Sequence, residues 1–335
     1  MPQADRLRRR RLSLLLALTA LCGMLAGLVA GSDGWSWRAL SDADAATIVA
    51  QIRAPRTLGA WLTGALLGLA GAVAQGLFRN PLADPYLLGS AAGAALAVVL
   101  VLAAGVLAGH GIGLATAGLL ARIGLVAAAF LGALIGVLLT LALARGAEQT
   151  ARLLLAGVVV GVVLGAVSDL VTSVAPDALR GKQIFLLGTT GYLGWGSAAV
   201  LGAGLALLLP PALRLARALD ALTLGEDSAR TMGLPLGRVR MVLVGVVALA
   251  TGLAVSQSGL VAFVGLAAPH LVRRFAPSAH GFNLAASTAM GGTLLLASDV
   301  LARTLIAPQE LPVGVLTAVL GGGYLLWLLH ARSRV

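Results

Sequence analysis

Runs of about twenty apolar residues recur along almost the whole chain, and they set the tightest constraint on its fold. Inside hydrocarbon every backbone N–H and C=O must be satisfied within the protein, which leaves helices or closed barrels. A helix needs about 20 residues to cross a ~30 Å hydrocarbon core. Runs of that size lie near residues 12–31, 56–78, 88–108, 123–143, 151–173, 194–213, 238–258, 260–276, 282–302 and 312–330. The alternating segments of ~10 residues that build a membrane barrel are not seen. Composition agrees, since 59% of the 335 residues are hydrophobic and only 11% charged, far from the balance of a soluble domain. The expected fold is an all-α membrane protein with ten transmembrane helices. It forms a single transmembrane domain over residues 1–335, because the connecting segments leave no room for a separate soluble unit.

The net charge is +11, yet aromatic residues make up only 4% and the arginines gather at span ends, which argues against a nucleic-acid surface. Their placement sets the topology instead. With both termini cytoplasmic, seventeen basic residues fall inside and seven outside, the latter being Arg38, Arg53, Arg56, Arg122, Arg180, Lys182 and Arg303. That bias follows the positive-inside rule and supports an even number of spans. Arg6, Arg8, Arg9, Arg10 and Arg11 precede the first apolar run, which is longer than the ~7–15 residues of a secretory signal core. The first span is therefore read as uncleaved. Cys22, the sole cysteine, lies within it and forms no internal disulfide.

Two connecting segments are longer than the rest. The outer one, residues 31–56, carries Trp35 and Trp37, suited to a membrane interface, and a stretch over 42–53 expected to lie as a surface helix. Glycines recur at helical spacing within spans: Gly157, Gly161 and Gly165 in the fifth, and nearly the same with Gly64, Gly68 and Gly71 in the second. Such stripes permit close helix packing, or a smooth wall along a passage, and the two are compatible. LADPYL at 82–87 and LAAPHL at 266–271 form a faint internal echo, too short to establish an inverted repeat.

Catalytic and metal chemistry leaves no trace. His110, His270, His280 and His330 are scattered, and HExxH, CxxC and GxSxG are absent. The one Gly-Lys pair, Gly181-Lys182, has Pro176 and Gln183 where a phosphate-binding loop needs glycine and a hydroxyl, so the chain holds no ATP by that loop. No cofactor or metal is expected, and the protein reads as a transport subunit rather than an enzyme. Two acids lie in or near spans. Asp299 stands four residues before Arg303, the spacing of an ion pair on one helix face. Asp169, near the outer end of the fifth span, is the candidate for a proton-coupled role. A gradient-driven carrier or channel is the competing class, and it would depend on these two acids.

The longer inner segment is LTLGEDSARTMGLPLGRVR, residues 222–240. Residues 222–233 are expected to form a short helix, with Thr223 as cap, Glu226 and Asp227 in the first turn, and Gly233 and Pro235 as the stop. A short amphipathic helix held between two spans suits docking into a groove of a cytoplasmic partner.

At these residues the sequence resembles the FecCD/BtuC family, the permeases of binding-protein-dependent ABC importers for ferric siderophores, haem and cobalamin. The matching pieces are RAPRTLGAWLTGALLGLAGAVAQGLFRNPLADPYLLGSAAGAALA, RLLLAGVVVG, LTLGEDSARTMGL, GLVAFVGLAAPHLVRRF and SDVLARTLIAPQELPVGVLTAVLGGGYLLWLL, from about Arg53 to the C-terminus. The resemblance implies a homodimer of ten-span subunits in the bacterial inner membrane, with ATPase subunits below and a periplasmic substrate-binding protein above. It makes residues 222–234 the coupling helix, with Gly225, Glu226, Asp227, Ala229, Arg230 and Gly233 as ATPase contacts. It makes Arg53, Arg56 and Arg303 docking points for the binding protein. The fifth and tenth spans become pathway helices, consistent with the stripe of Gly157, Gly161 and Gly165, and the inner gates fall on Asn80, Pro81, Leu82, Thr150 and Ala151. Haem and ferric siderophores are the closest cargo classes, with cobalamin behind.

Overall fold

In the computed structural model, residues 3–31, 34–35, 43–107, 119–146 and 150–332 are described. Helix α1 (Gln3–Val29) runs through the basic segment and the first apolar run without a break. A two-stranded turn follows, β1 (Ala30–Gly31) paired antiparallel with β2 (Gly34–Trp35). The surface helix expected over 42–53 is not a separate element. Its described part, α2 (Ala43–Ile48), passes through a π turn (Val49–Arg53) straight into α3 (Ala54–Phe78). Pro55 accounts for the wide turn: it supplies no N–H, and the Ala54 N–H reaches back to the Val49 carbonyl. Trp37 and Asp42 lie outside the described residues.

The remaining helices are α4 (Ser90–Leu107), α5 (Leu119–Leu143), α6 (Thr150–Val174), α7 (Asp177–Leu187), α8 (Trp195–Arg214), α9 (Ala216–Thr223), α10 (Glu226–Thr231), α11 (Leu236–Ser258), α12 (Val264–Phe275), α13 (His280–Thr304) and α14 (Val313–Arg332). Eight helices among the described residues are long and apolar enough to cross a membrane. The expected spans not among them are the eighth and tenth. Over 260–276, helix begins only at Val264, after Phe263 adopts φ +67° and Gly259 φ +68°. Twelve helical residues rise about 18 Å, some half of a bilayer core. Helix α14 has 20 residues, about the length of a span, and Val313–Trp327 is its apolar portion among the residues whose side chains are described.

Helix α3 is the axis of the bundle, buried almost continuously from Pro55 to Phe78 and flanked by α8, α11, α12 and α13. The second-span glycines explain how it is surrounded so closely. A Cβ on Gly64 would strike the Gly291 carbonyl, one on Gly68 the Ser287 carbonyl, and one on Gly71 the Gly265 carbonyl. Backbones in lipid approach this closely only where side chains are absent. By contrast α6 leaves most of its surface outside the bundle. The echo between 82–87 and 266–271 has no structural counterpart, since the first lies in a loop ending in a single 3-10 turn (Pro85–Leu88) and the second within α12.

Two ends of the bundle follow from side-chain contacts. At one, Arg56 of α3 meets Asp299 of α13. At the other, Arg79 beyond α3 meets Glu226, and His280 of α13 meets Asp220 of α9. The beginning of α1 lies at this second end, where the Arg9 guanidinium sits over the Phe282 ring, and so does the last part of α14, where Arg274 covers Trp327.

Candidate functional site

The segment 222–234 forms a bracket between α8 and α11. The single helix expected there is divided: α9 ends at Thr223, whose hydroxyl donates back to the Asp220 carbonyl, and α10 starts at Glu226. Thr223 therefore closes one helix instead of opening the next. The break falls at Gly225, with φ +108°, and a second reversal at Gly233 has φ +79°; both are conformations that a side chain strains.

Glu226 anchors the bracket. Its carboxylate receives the Arg240 guanidinium at 2.5 Å and lies 3.7 Å from that of Arg79. One short helix is thereby tied to the start of α11 and the end of α3. Ala229 is fully buried against the core, so it supports α10 from below and is not a surface contact. Asp227, Arg230 and Gly233 face outward. Two residues that the sequence reading passed over lie on the same surface, Leu224 at 69% and Met232 at 54% exposure. Their signal was present: each is a large apolar residue beside a glycine in an otherwise charged loop.

The gate candidates lie at the same end. Asn80, Pro81 and Leu82 are exposed, and the Asn80 side chain accepts the Leu82 N–H at 2.9 Å. Beyond them Asp84 accepts the Tyr86 N–H at 2.8 Å, and the Tyr86 hydroxyl donates to the Val261 carbonyl at 3.3 Å, tying this turn to the loop before α12. Burial pushes the Asp84 carboxyl above its ordinary range, opposed by that N–H bond, and pushes the Tyr86 phenol up as well. Thr150 begins α6 and Ala151 is exposed; the Thr150 side chain is outside the described residues. The glycine stripe of α6 divides in two. Gly157 packs against the Leu87 carbonyl, whereas Gly161 and Gly165 face open space.

The three arginines expected to dock the binding protein, Arg53, Arg56 and Arg303, are all engaged within the chain. Arg303 is 1% exposed: it pairs with Asp299 and donates to the Gly27 carbonyl at 3.1 Å. Arg56 donates to Asp299 at 3.2 Å and to both oxygens of Glu310, at 2.9 and 2.8 Å. Thr190 donates its hydroxyl to the same Asp299 at 2.5 Å. Fully buried Asp299 thus joins two guanidiniums, and the network ties α1, α3, α13 and two loops together. Arg53 donates to the Leu28 and Val29 carbonyls, closing the end of α1. Arg56 and Arg303 are structural in this arrangement, because a buried cation is stable only where carboxylates and carbonyls surround it. The i,i+4 pair expected of Asp299 and Arg303 is present. Asp169 stands exposed and pairs with Lys182 of α7 at 2.5 Å. Among the described residues no group of His, Cys, Asp and Glu is arranged to hold a metal.

The model of the FecCD transport family matches residues 12–331. The chain belongs to that family. The FecCD permease is 36% identical to the hemin transport system permease protein HmuU of Yersinia pestis over 323 residues, 95% of this chain and 93% of the relative. It is 38% identical to the vitamin B12 import system permease protein BtuC of Salmonella paratyphi A over 334 residues, 98% of each chain. A solved structure described as an inward-facing conformation of a metal-chelate type ABC transporter superposes with TM-score 0.81 at 25% identity, covering 96% of this chain and 98% of that one. PsaBC from Streptococcus pneumoniae, solved with a Fab, shares the fold at TM-score 0.54 and 18% identity, over 80% of this chain and 88% of the other. This FecCD chain is accordingly a multi-pass membrane permease of the ABC-importer type, working with separate ATPase and substrate-binding subunits. ATP hydrolysis belongs to the ATPase subunits.

Proposed function

We propose that this permease moves an iron chelate, haem or a ferric siderophore, or else cobalamin, inward across the bacterial inner membrane as a homodimer with both termini cytoplasmic. The observation that carries the mechanism is the anchored bracket. Glu226, held by Arg240 and Arg79, makes α10 rigid with α3 and α11, while Leu224, Asp227, Arg230 and Met232 offer a mixed apolar and charged face to a partner groove. Closure of the ATPase subunits on that face would be passed to the central helix and tilt the helices around it. The domain is a single transmembrane unit with residues 222–234 as its coupling segment.

The dimer reading draws on α6, which keeps Val162 at 67% exposure beside the open glycines Gly161 and Gly165, and on α14, which keeps Leu326 at 70% exposure. A passage between two copies of these helices would have smooth, weakly interacting walls, which suits release of a bulky chelate. Asn80, Pro81, Leu82, Thr150 and Ala151 would narrow it at the coupling end. Docking of the binding protein would use the network end, with half-exposed Arg53 and the Glu310 rim as accessible charges. The gradient-driven alternative loses its support in the acids, since Asp299 is held by two arginines and Asp169 by Lys182.

Uptake of haem, a ferric siderophore and cobalamin into proteoliposomes containing the chain, its ATPase and its binding protein tests this reading. ATP-dependent accumulation of one cargo, lost on disruption of 225–233, is the expected result. Equal accumulation without ATP or the ATPase would overturn it.

A further inference from the structure

Helices α5 and α8 each pack on α11, leaving a crevice between them at the network end. Its volume is about 510 Å³, within the range of small-molecule sites. Ile123 of α5 and Val200 of α8 line it while remaining 56% and 46% exposed, so its apolar walls continue onto the outer surface of the bundle. Its floor is the last turn of α11, where the Ser256 and Ser258 hydroxyls donate to the Leu253 and Ala254 carbonyls of their own helix at 3.0 and 2.9 Å. Those hydroxyl protons are already committed, which favours an apolar occupant over a polar solute.

The mouth is different. Arg122 starts the lining of α5, lies 5.2 Å from the Tyr192 ring centroid and donates to the Tyr192 carbonyl at 3.2 Å. The ion pairs among the described residues all involve other cations. A guanidinium without a carboxylate, beside a tyrosine at the end of a membrane bundle, complements a phosphate at headgroup depth.

We propose that this crevice binds an anionic phospholipid, one acyl chain lying between α5 and α8 and the headgroup phosphate on Arg122. The site is remote from the bracket and independent of the cargo.

Native mass spectrometry of the purified full chain, mixed with phosphatidylglycerol or with phosphatidylcholine of the same acyl chains, tests it. The unchanged chain is expected to retain phosphatidylglycerol about fivefold better, the preference one basic side chain gives near an anionic surface. Arg122→Gln should equalise the two lipids, Val200→Trp should expel both, and Arg180→Gln, an exposed arginine at the same end, should leave the preference intact. Equal retention of the two lipids by the unchanged chain would overturn the proposal, as would retention that survives Val200→Trp. Loss of preference in Arg180→Gln would mark a general charge effect and also overturn it. Displacement of the lipid by inorganic phosphate at constant ionic strength would reassign the site to free phosphate.

Discussion

Arg240 and Glu226 meet at 2.5 Å where α10 turns into α11, the arginine side chain 3% exposed and the glutamate 26%. The pair fixes the only charged bracket of the described chain to the helices that carry the bundle axis.

Glu226→Gln is expected to lower thermal stability in detergent by about 1–3 kcal/mol, since it leaves a buried guanidinium with a weaker acceptor. Cargo moved per ATP hydrolysed should fall further than stability alone accounts for. A variant that unfolds earlier yet transports at the native ratio would show that the pair is structural and not part of force transfer.

Leu224→Ser combined with Met232→Ser should leave the unfolding temperature unchanged, because both side chains are more than half exposed. Co-purification with the ATPase should drop at least tenfold, equivalent to ~1.4 kcal/mol of binding. Undiminished co-purification would remove the apolar pair from the docking face.

At the opposite end the order of effects is the test. Asp299→Ala leaves two buried arginines without their shared acid and should cost about 3–5 kcal/mol. Glu310→Gln, at a side chain 32% exposed, should cost only about 1 kcal/mol. Thermal unfolding of both variants in one detergent decides the order, and a reversed order would place the keystone of the network at Glu310.

The glycines give a matched pair. Gly71→Ala forces a methyl group into the Gly265 carbonyl and should destabilise by at least about 1–3 kcal/mol or prevent folding, whereas Gly161→Ala meets open space and should fold normally. Size-exclusion profiles and unfolding temperatures of the two variants check this. Equal tolerance would mean that α3 packs less closely than described.

The long helices were legible because lipid demands about twenty apolar residues and the sequence supplies them. The shortening of α12 was not, because Phe263 is held at φ +67° by its surroundings and no residue preference announces it. Local spacing revealed the Asp299–Arg303 pair, four residues apart, but nothing local joins Arg56 to Glu310, 254 residues away. For that reason Arg56 read as a docking point and not as a member of a buried network. Glycine spacing correctly marked the close approach of α3, and in α6 the same pattern covered two different situations, contact at Gly157 and open space at Gly161. In the bracket the two acids and glycines stood out, while the inward turn of Ala229 depends on where Gly225 breaks the helix.

The network around Asp299 contains two guanidiniums, Arg56 and Arg303, and two carboxylates, Asp299 and Glu310. A single charge carried across 100 mV of membrane potential exchanges about 2.3 kcal/mol with the field. These four charges sum to zero, so a rigid displacement of the whole cluster along the membrane normal does no net electrical work. This cluster can therefore shift without sensing whether the membrane is energised.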